Sequence, residues 1–242
     1  MSANSDLVLA SSSTLRVLLL REIGIEPIVL PANIDEAPRR GESAVRLVRR
    51  LAEQKALVVL SQRDKDGAFV LGVDTLVAVG QRPLGRAETE GEARTYLRML
   101  SGREHQVHSG IALFRDDHRL SLKVVTTRLR FRHLTADDIE EYVSSGEWKG
   151  RAGGYAILGR ADGFVRSLKG SYTSVIGLPL HEIANILAAA TAWPSPQTKL
   201  SLSLRLRGLS GHLTDMVNGP QECVAESRRR IYVRRVIPPS SI

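Results

Sequence analysis

The stretch "AFVLGVDTLVAV" (68–79) is apolar at every position except Gly72, Asp74 and Thr75. A nearly continuous apolar run of that length reads as a strand covered on both faces, which places helices on both sides of a sheet. The same run carries a problem in its middle. A carboxylate among apolar neighbours is costly to bury, so Asp74 is expected to be paired, to hold a metal, or to stand at an open strand end. An aspartate at the C-terminal end of a sheet strand is a frequent place for metal and base chemistry in open α/β folds. The alternative is a structural aspartate bonded to a backbone amide or an arginine.

Strand and helix signals alternate around this run, giving an α/β domain. "LVLA" (7–10) is a strand, residues 16–23 are helical, and Gly24 is a stop. "PIVLPANI" (27–34) reads as a strand. Residues 42–63 form an amphipathic helix with Ala44, Val48, Leu51 and either Leu57 or Leu60 inward. Thr89-x-x-Glu92 is a capping box for a helix over 89–102 that buries Ala93, Tyr96, Leu97 and Leu100. Residues 105–134 predict a long antiparallel hairpin turning at Asp116-Asp117. Thr135-x-x-Asp138 opens a short helix, residues 163–179 give one or two strands, and residues 180–193 a last helix.

After Trp193 the texture becomes linker-like and then basic. The chain has 242 residues and a net charge of +8, but residues 199–242 hold eight Lys/Arg against three Asp/Glu, which leaves +3 for the rest. The division expected is a globular domain over 1–193 and a basic extension over 194–242. Charge gathered in an extension without interleaved aromatics is a weak nucleic-acid signal, so a nucleic-acid partner is disfavoured. No run of 18 uncharged apolar residues marks a membrane span, and no N-terminal pattern marks export. The single cysteine, Cys223, excludes an internal disulfide and fits a reducing cytoplasm.

Several side chains stand out as chemistry. Ser11, Ser12, Ser13 and Thr14 precede Arg16 at a strand-to-helix junction. One hydroxyl suffices for an N-cap; several, with free amides and the positive helix end, also make an anion site. Arg16 in a first turn opposes the helix dipole unless it faces a negative ligand. Lys55 continues the apolar stripe of its helix, either snorkelling to solvent or meeting phosphate as a point charge. Asp35-Glu36 follows a strand and Arg86 sits in a glycine-containing turn. "GGYAILGR" lacks the P-loop form, and His105 and His108 lack an evident catalytic partner. Carboxylates for a divalent metal, cations for phosphate and a carboxylate to orient water together are equipment for cutting a phosphoanhydride.

The ordered motifs "LVLASSSTLRVLLLREIGI", "ANIDE", "LAEQKA", "LGVDTLVAV", "PLGRAETEGEARTYLRMLSGREHQVHSGIAL" and "GGYAILGRADGFVRSLKGSYTSVIGLPLHEIANIL" resemble the Maf family over about residues 6–190. The resemblance implies the fold of inosine-triphosphate pyrophosphatases, an elongated α/β body with a mixed twisted sheet and a central cleft. It also implies a nucleoside triphosphate pyrophosphatase using Mg²⁺ or Mn²⁺, in a family first named for inhibition of septum formation. Asp74 then corresponds to the proton acceptor. Ser11, Ser13, Arg16, Lys55 and Arg86 correspond to phosphate-binding groups, Arg86 standing where the family has lysine, and Glu36 with Asp74 to the metal ligands.

The chain departs from the family pattern at Leu15, where a second arginine is usual, and at Leu158, where a glutamine is usual. With Thr75 these are the positions that the resemblance links to base choice. Thr75 resembles the branch that prefers dTTP and UTP; the two leucines do not. The mechanism expected is attack on the α-phosphorus by water that Asp74 orients. A homodimer is compatible with the sequence, and the rival readings are a nucleotide-binding regulator of division without turnover and a nucleic-acid-binding module.

Overall fold

The computed structural model describes residues 7–63, 67–116 and 118–190. The extension expected at 194–242 and the turn residue Asp117 lie outside the described residues. The described elements are β1 (Leu7–Ala10), α1 (Thr14–Glu22), β2 (Ile28–Val29), α2 (Ala44–Ser61), β3 (Phe69–Val79) and β4 (Arg82–Leu84). They continue with α3 (Glu90–Leu100), β5 (Glu104–Arg115), β6 (His118–Phe131), α4 (Ala136–Ser144), β7 (Val165–Lys169), α5 (Tyr172–Ile176) and α6 (Leu180–Ala189). One seven-stranded mixed sheet runs β2-β1-β3-β5-β6-β7, with β4 paired to β3. β1 lies parallel to β2 and β3, and the remaining pairs are antiparallel.

β3 is the centre of this sheet, as its apolar run requires. Its even-numbered residues face α2, where Val70 joins Val8, Ala52 and Ala56, and Leu76 joins Leu47 and Leu51. Its odd-numbered residues face the other layer. Leu71 and Val73 pack with Leu20 of α1 and Ile183 of α6, while Val77 packs with Leu97 of α3 and Ile139 of α4. Both long α/β faces are therefore filled, which satisfies a strand apolar on both sides.

The edges of β3 are asymmetric, and this positions the site. On one side β5 pairs with residues 69–78 almost without interruption. On the other side β1 pairs with residues 69–72 and β4 with residues 77–79. Residues 73–76 thus form a window between two strands, and Asp74 and Thr75 occupy it. Of the settings open to Asp74, the strand end is not the one it takes: β3 runs five residues further, and it is the neighbour β1 that stops.

α2 approaches the sheet closely because β3 and β5 carry glycine where it crosses. A Cβ on Gly72 would fall on the Ala52 carbonyl and 2.8 Å from the Ala56 nitrogen, and one on Gly110 would fall on the Val48 carbonyl. The helix faces the sheet as expected, with Leu60 rather than Leu57 as its inward alternative. Leu57 points outward at 46% exposure, Leu60 is half-buried, and Lys55 takes a place in the buried stripe with Leu51 and Val59.

Two further elements are shorter or different from their sequence reading. The strand expected over 27–34 pairs only at Ile28 and Val29, because it lies at the sheet edge between Pro27 and Pro31. Residues 163–179 give one strand, β7; the β-branched stretch after it is helical, since Gly170 turns the chain at φ 127° and the Ser171 hydroxyl caps α5 by accepting from the Ser174 amide. The capping boxes at Thr89 and Thr135 and the β5–β6 hairpin form as read, with Tyr96 only half-buried. Among the described residues no helix is long and apolar enough to cross a membrane.

Gly72→Ala is expected to force α2 away from the sheet and lower the unfolding free energy by about 1–3 kcal/mol, the usual cost of overpacking. Urea denaturation reads this directly, and an unchanged midpoint would contradict the close-approach account.

Candidate functional site

The window in β3 is lined from four directions. Asp74, on the α2 face, is 4% exposed and receives a 2.6 Å hydrogen bond from Lys55 Nζ. The same ammonium lies 2.6 Å from Glu36 Oε1, so one cation bridges two carboxylates. The reach depends on the glycine-permitted approach of α2: Lys55 is brought onto Asp74 rather than snorkelling to solvent. Glu36 comes from the loop after β2 and remains 43% exposed at its side chain, with Arg86 Nη2 3.9 Å from its other oxygen.

Arg16 closes the window from the α1 side. It is 6% exposed, and its guanidinium donates to Gly177 O (3.0 Å), Ser11 Oγ (2.8 Å) and Thr75 Oγ1 (3.3 Å). All three partners are neutral oxygens, an expensive setting for a buried cation unless an anion lies near. Burial disfavours the charged guanidinium, the Asp74 carboxylate opposes that effect from a distance, and Arg86 adds to it. Burial alone pushes the Glu36 carboxyl up, yet the hydrogen bond and charge of Lys55, helped by Arg86 and Arg16, hold it below its ordinary value. The two carboxylates and three cations thus act on one another around this window.

The serine-rich junction is not an ordinary cap. Ser13 occupies the N-cap position of α1, but its side chain makes no capping bond. Ser11 is buried and its hydroxyl accepts from both the Ser13 amide (3.2 Å) and Arg16. Ser13 is half-buried and Ser12 exposed. The Ser11 hydroxyl therefore organises Arg16, and among the described residues no side chain caps the first-turn amides of Thr14 and Leu15, while the Arg16 amide donates to the Ser13 carbonyl (3.1 Å).

The remaining expected residues are placed less centrally. Thr75 points to the face opposite Asp74 and shares its hydroxyl with Arg16, Ser109 (3.1 Å) and the Gly177 carbonyl (3.3 Å). Leu158 is half-buried against the cluster around Leu9, Leu20 and Ile183, and Leu15 is half-buried on α1. Asp35 accepts from the Ala37 amide (2.9 Å) and turns the loop rather than entering the window. His105 and His108 are bonded to the hydroxyls of Tyr155 (3.0 Å) and Thr126 (2.9 Å), and burial pushes His105 down to about 4.

Two contributors were missed from the sequence. Ser109 donates to the Ser174 carbonyl (3.0 Å) and holds Thr75, and Gly177 supplies the carbonyl that fixes Arg16. Gly177 adopts φ 134°, open essentially to glycine alone, so the glycine before Leu178-Pro179 was the available signal.

The donor set bears on metal binding. Among the described residues no group of three or more His, Cys, Asp or Glu is placed to hold a metal ion. Glu36 and Asp74 nevertheless offer two hard oxygen ligands around one positive charge. That fits Mg²⁺ or Mn²⁺ shared with substrate phosphates, for which one or two carboxylates suffice, and does not fit an all-protein cage.

A family model described as Maf-like protein matches residues 6–190. A dTTP/UTP pyrophosphatase of Chelativorans sp. (strain BNC1) is 50% identical over 194 residues, covering 78% of this chain and 93% of that protein. A dTTP/UTP pyrophosphatase of Zymomonas mobilis is 48% identical over 191 residues, with 78% and 93% covered. One from Brucella abortus (strain 2308) is 50% identical over 193 residues, with the same coverage.

Replacing Lys55 by Met leaves Asp74 buried beside no cation, which is expected to cost about 3–5 kcal/mol of stability. A Lys55→Met/Asp74→Leu double variant should recover much of that loss in urea denaturation. Equal stability of the single variant and the parent protein would contradict the buried ion pair.

Proposed function

The chain belongs to the Maf-like protein family, and we propose that it is a nucleoside triphosphate pyrophosphatase that cleaves the α–β phosphoanhydride to give the nucleoside monophosphate and pyrophosphate. The observation that carries this reading is the β3 window, where Asp74, Lys55 and Glu36 are in contact and the buried Arg16 is held by neutral oxygens alone. Such a site has charge ready for a polyanion and a carboxylate ready for a water proton. The relatives named dTTP/UTP pyrophosphatase support the same chemistry. The ITP-pyrophosphatase-like fold, a cytoplasmic location and the placement of activity in residues 1–193 belong to this proposal.

In the proposed reaction Asp74 accepts a proton from water as the water oxygen bonds to the α-phosphorus and the bond to the bridging oxygen breaks. Pyrophosphate leaves carrying the electron pair. Arg16, Lys55 and Arg86 oppose the charge that develops on the phosphate oxygens, with the α1 amides and Ser11 and Ser13 beside them. Glu36 and Asp74 would hold a divalent cation, which would supply further neutralisation of phosphate charge when bound. Lys55 bridges the two carboxylates and keeps them close.

Base choice is the finer part of the proposal. Thr75 resembles the branch that prefers dTTP and UTP, the substrates in the names of the relatives. Leu15 and Leu158 offer no hydrogen bond to a base edge, so discrimination should be looser than polar residues would give.

Pyrophosphate release from dTTP, UTP, CTP, GTP, ITP and 7-methyl-GTP with Mg²⁺ or Mn²⁺ tests the reading. Turnover of dTTP and UTP is expected, with kcat lowered on the order of 100-fold or more in Asp74→Asn, the scale of a lost general base. No turnover on any substrate would overturn the enzyme and leave a nucleotide-binding regulator.

A further inference from the structure

After Ile34, the segment that carries Glu36 is not held by close packing. Between residues 34–39 and the outer face of α2 lies a cavity of about 370 Å³, lined in part by Asp35, Ala37, Pro38, Gln54 and Leu57. Glu36 is exposed, and so are its neighbours from Asp35 to Gly41. Ile34 packs against Leu47 and Leu51 before it, but from Asp35 to Gly41 polar contacts must keep the Glu36 carboxylate 2.6 Å from Lys55.

Beyond the turn that Asp35 makes with the Ala37 amide, one side chain ties this segment to α2. Arg50, one turn before Gln54 on α2, donates through Nη2 to the Ala37 carbonyl (3.1 Å), directly after Glu36 in the chain. Its Nε and Nη2 also take both oxygens of Glu42, each at 2.7 Å, and its Nη1 reaches Gln54 Oε1 at 2.9 Å. Glu42 in turn accepts from the Arg39 amide (3.0 Å), which closes the far end of the loop. Arg50 and Glu42 are largely buried, at 15% and 9% side-chain exposure, unlike a solvated surface pair. A planar guanidinium is suited to this geometry because it serves a carboxylate with two parallel donors and still has one for a carbonyl.

We propose that Arg50 is a positioning residue: by clamping the Ala37 carbonyl and the Glu42 carboxylate it holds the 35–42 loop so that Glu36 reaches the Lys55–Asp74 centre. This rests on the pyrophosphatase reading for its kinetic consequence, though not for its structural one. The hydrogen bond and charge of Arg50 hold the Glu42 carboxyl down to about 2, against the opposing effect of burial, so the clamp stays ionised throughout any ordinary assay range. A fault in it should appear as a misplaced Glu36 at every such pH.

The test compares wild type, Arg50→Gln, Arg50→Lys, Glu42→Gln, Glu36→Gln and the Arg50→Gln/Glu36→Gln pair. Kinetics with dTTP and hydrogen exchange of residues 35–42 are measured on each full-length protein. Arg50→Gln is expected to lower kcat by on the order of 10- to 100-fold, the scale of a misplaced reacting group, with a smaller change in KM. Glu42→Gln should act in the same direction and Arg50→Lys should restore only part of the loss. In the Glu36→Gln background, Arg50→Gln should add little further loss, while exchange of 35–42 quickens whenever Arg50 is gone. Additive losses in the pair, full rescue by lysine, or unchanged exchange would overturn the positioning role. If the wild type turns over no nucleotide, the pyrophosphatase reading fails on its own, and the exchange arm still decides whether Arg50 clamps the loop.

Discussion

The Lys55 ammonium, 2.6 Å from both Asp74 and Glu36, is the contact on which the rest of the site depends. A carboxylate in the middle of a buried strand is tolerable only with a cation on it, and the cation must come from an element that can approach closely. Gly72 and Gly110 allow α2 to come that near, and the early end of β1 leaves the space that the pair faces. A compensating charge, a small residue and a strand that stops early are thus parts of one arrangement. Removing any of them would leave Asp74 either unpaired or covered.

The same window explains why arginine rather than a cap organises the start of α1. Arg16 is drawn inward by Ser11, Thr75 and the Gly177 carbonyl, which come from three separate parts of the chain. Its position joins the two faces of the sheet electrostatically, since Thr75 points one way and Asp74 the other. Membership of the Maf-like family and the dTTP/UTP pyrophosphatase relatives fit a site of this composition. Their agreement with the geometry is the basis for reading the window as a triphosphate cradle.

Much of this was legible in the sequence because it depended on local pattern. The apolar run of β3, the Thr89 and Thr135 capping boxes and the long hairpin are all short-range signals, and each forms as read. Asp74, Lys55 and Arg16 stood out because each breaks a local rule, by burying charge or opposing a dipole. What the sequence hid was long-range. Which neighbour stops beside Asp74 is a property of β1, not of β3. The partner of Arg16 at Gly177 is 161 residues away, and no periodicity links them. Arg50 and Glu42 are eight residues apart across a helix start, a spacing outside the i,i+4 rule for helical pairs. Ser171 and Gly170 likewise turned a β-prone stretch into a helix, where cap chemistry outweighed propensity.

The most direct test of the account is a crystal structure of the Asp74→Asn protein with a dUTP analogue whose α–β bridge is a nitrogen. The account predicts that the triphosphate lies in the β3 window, with Arg16 and Lys55 on its phosphate oxygens and the α-phosphorus facing residue 74. A triphosphate seated elsewhere, for instance in the cavity between residues 34–39 and α2, would contradict it.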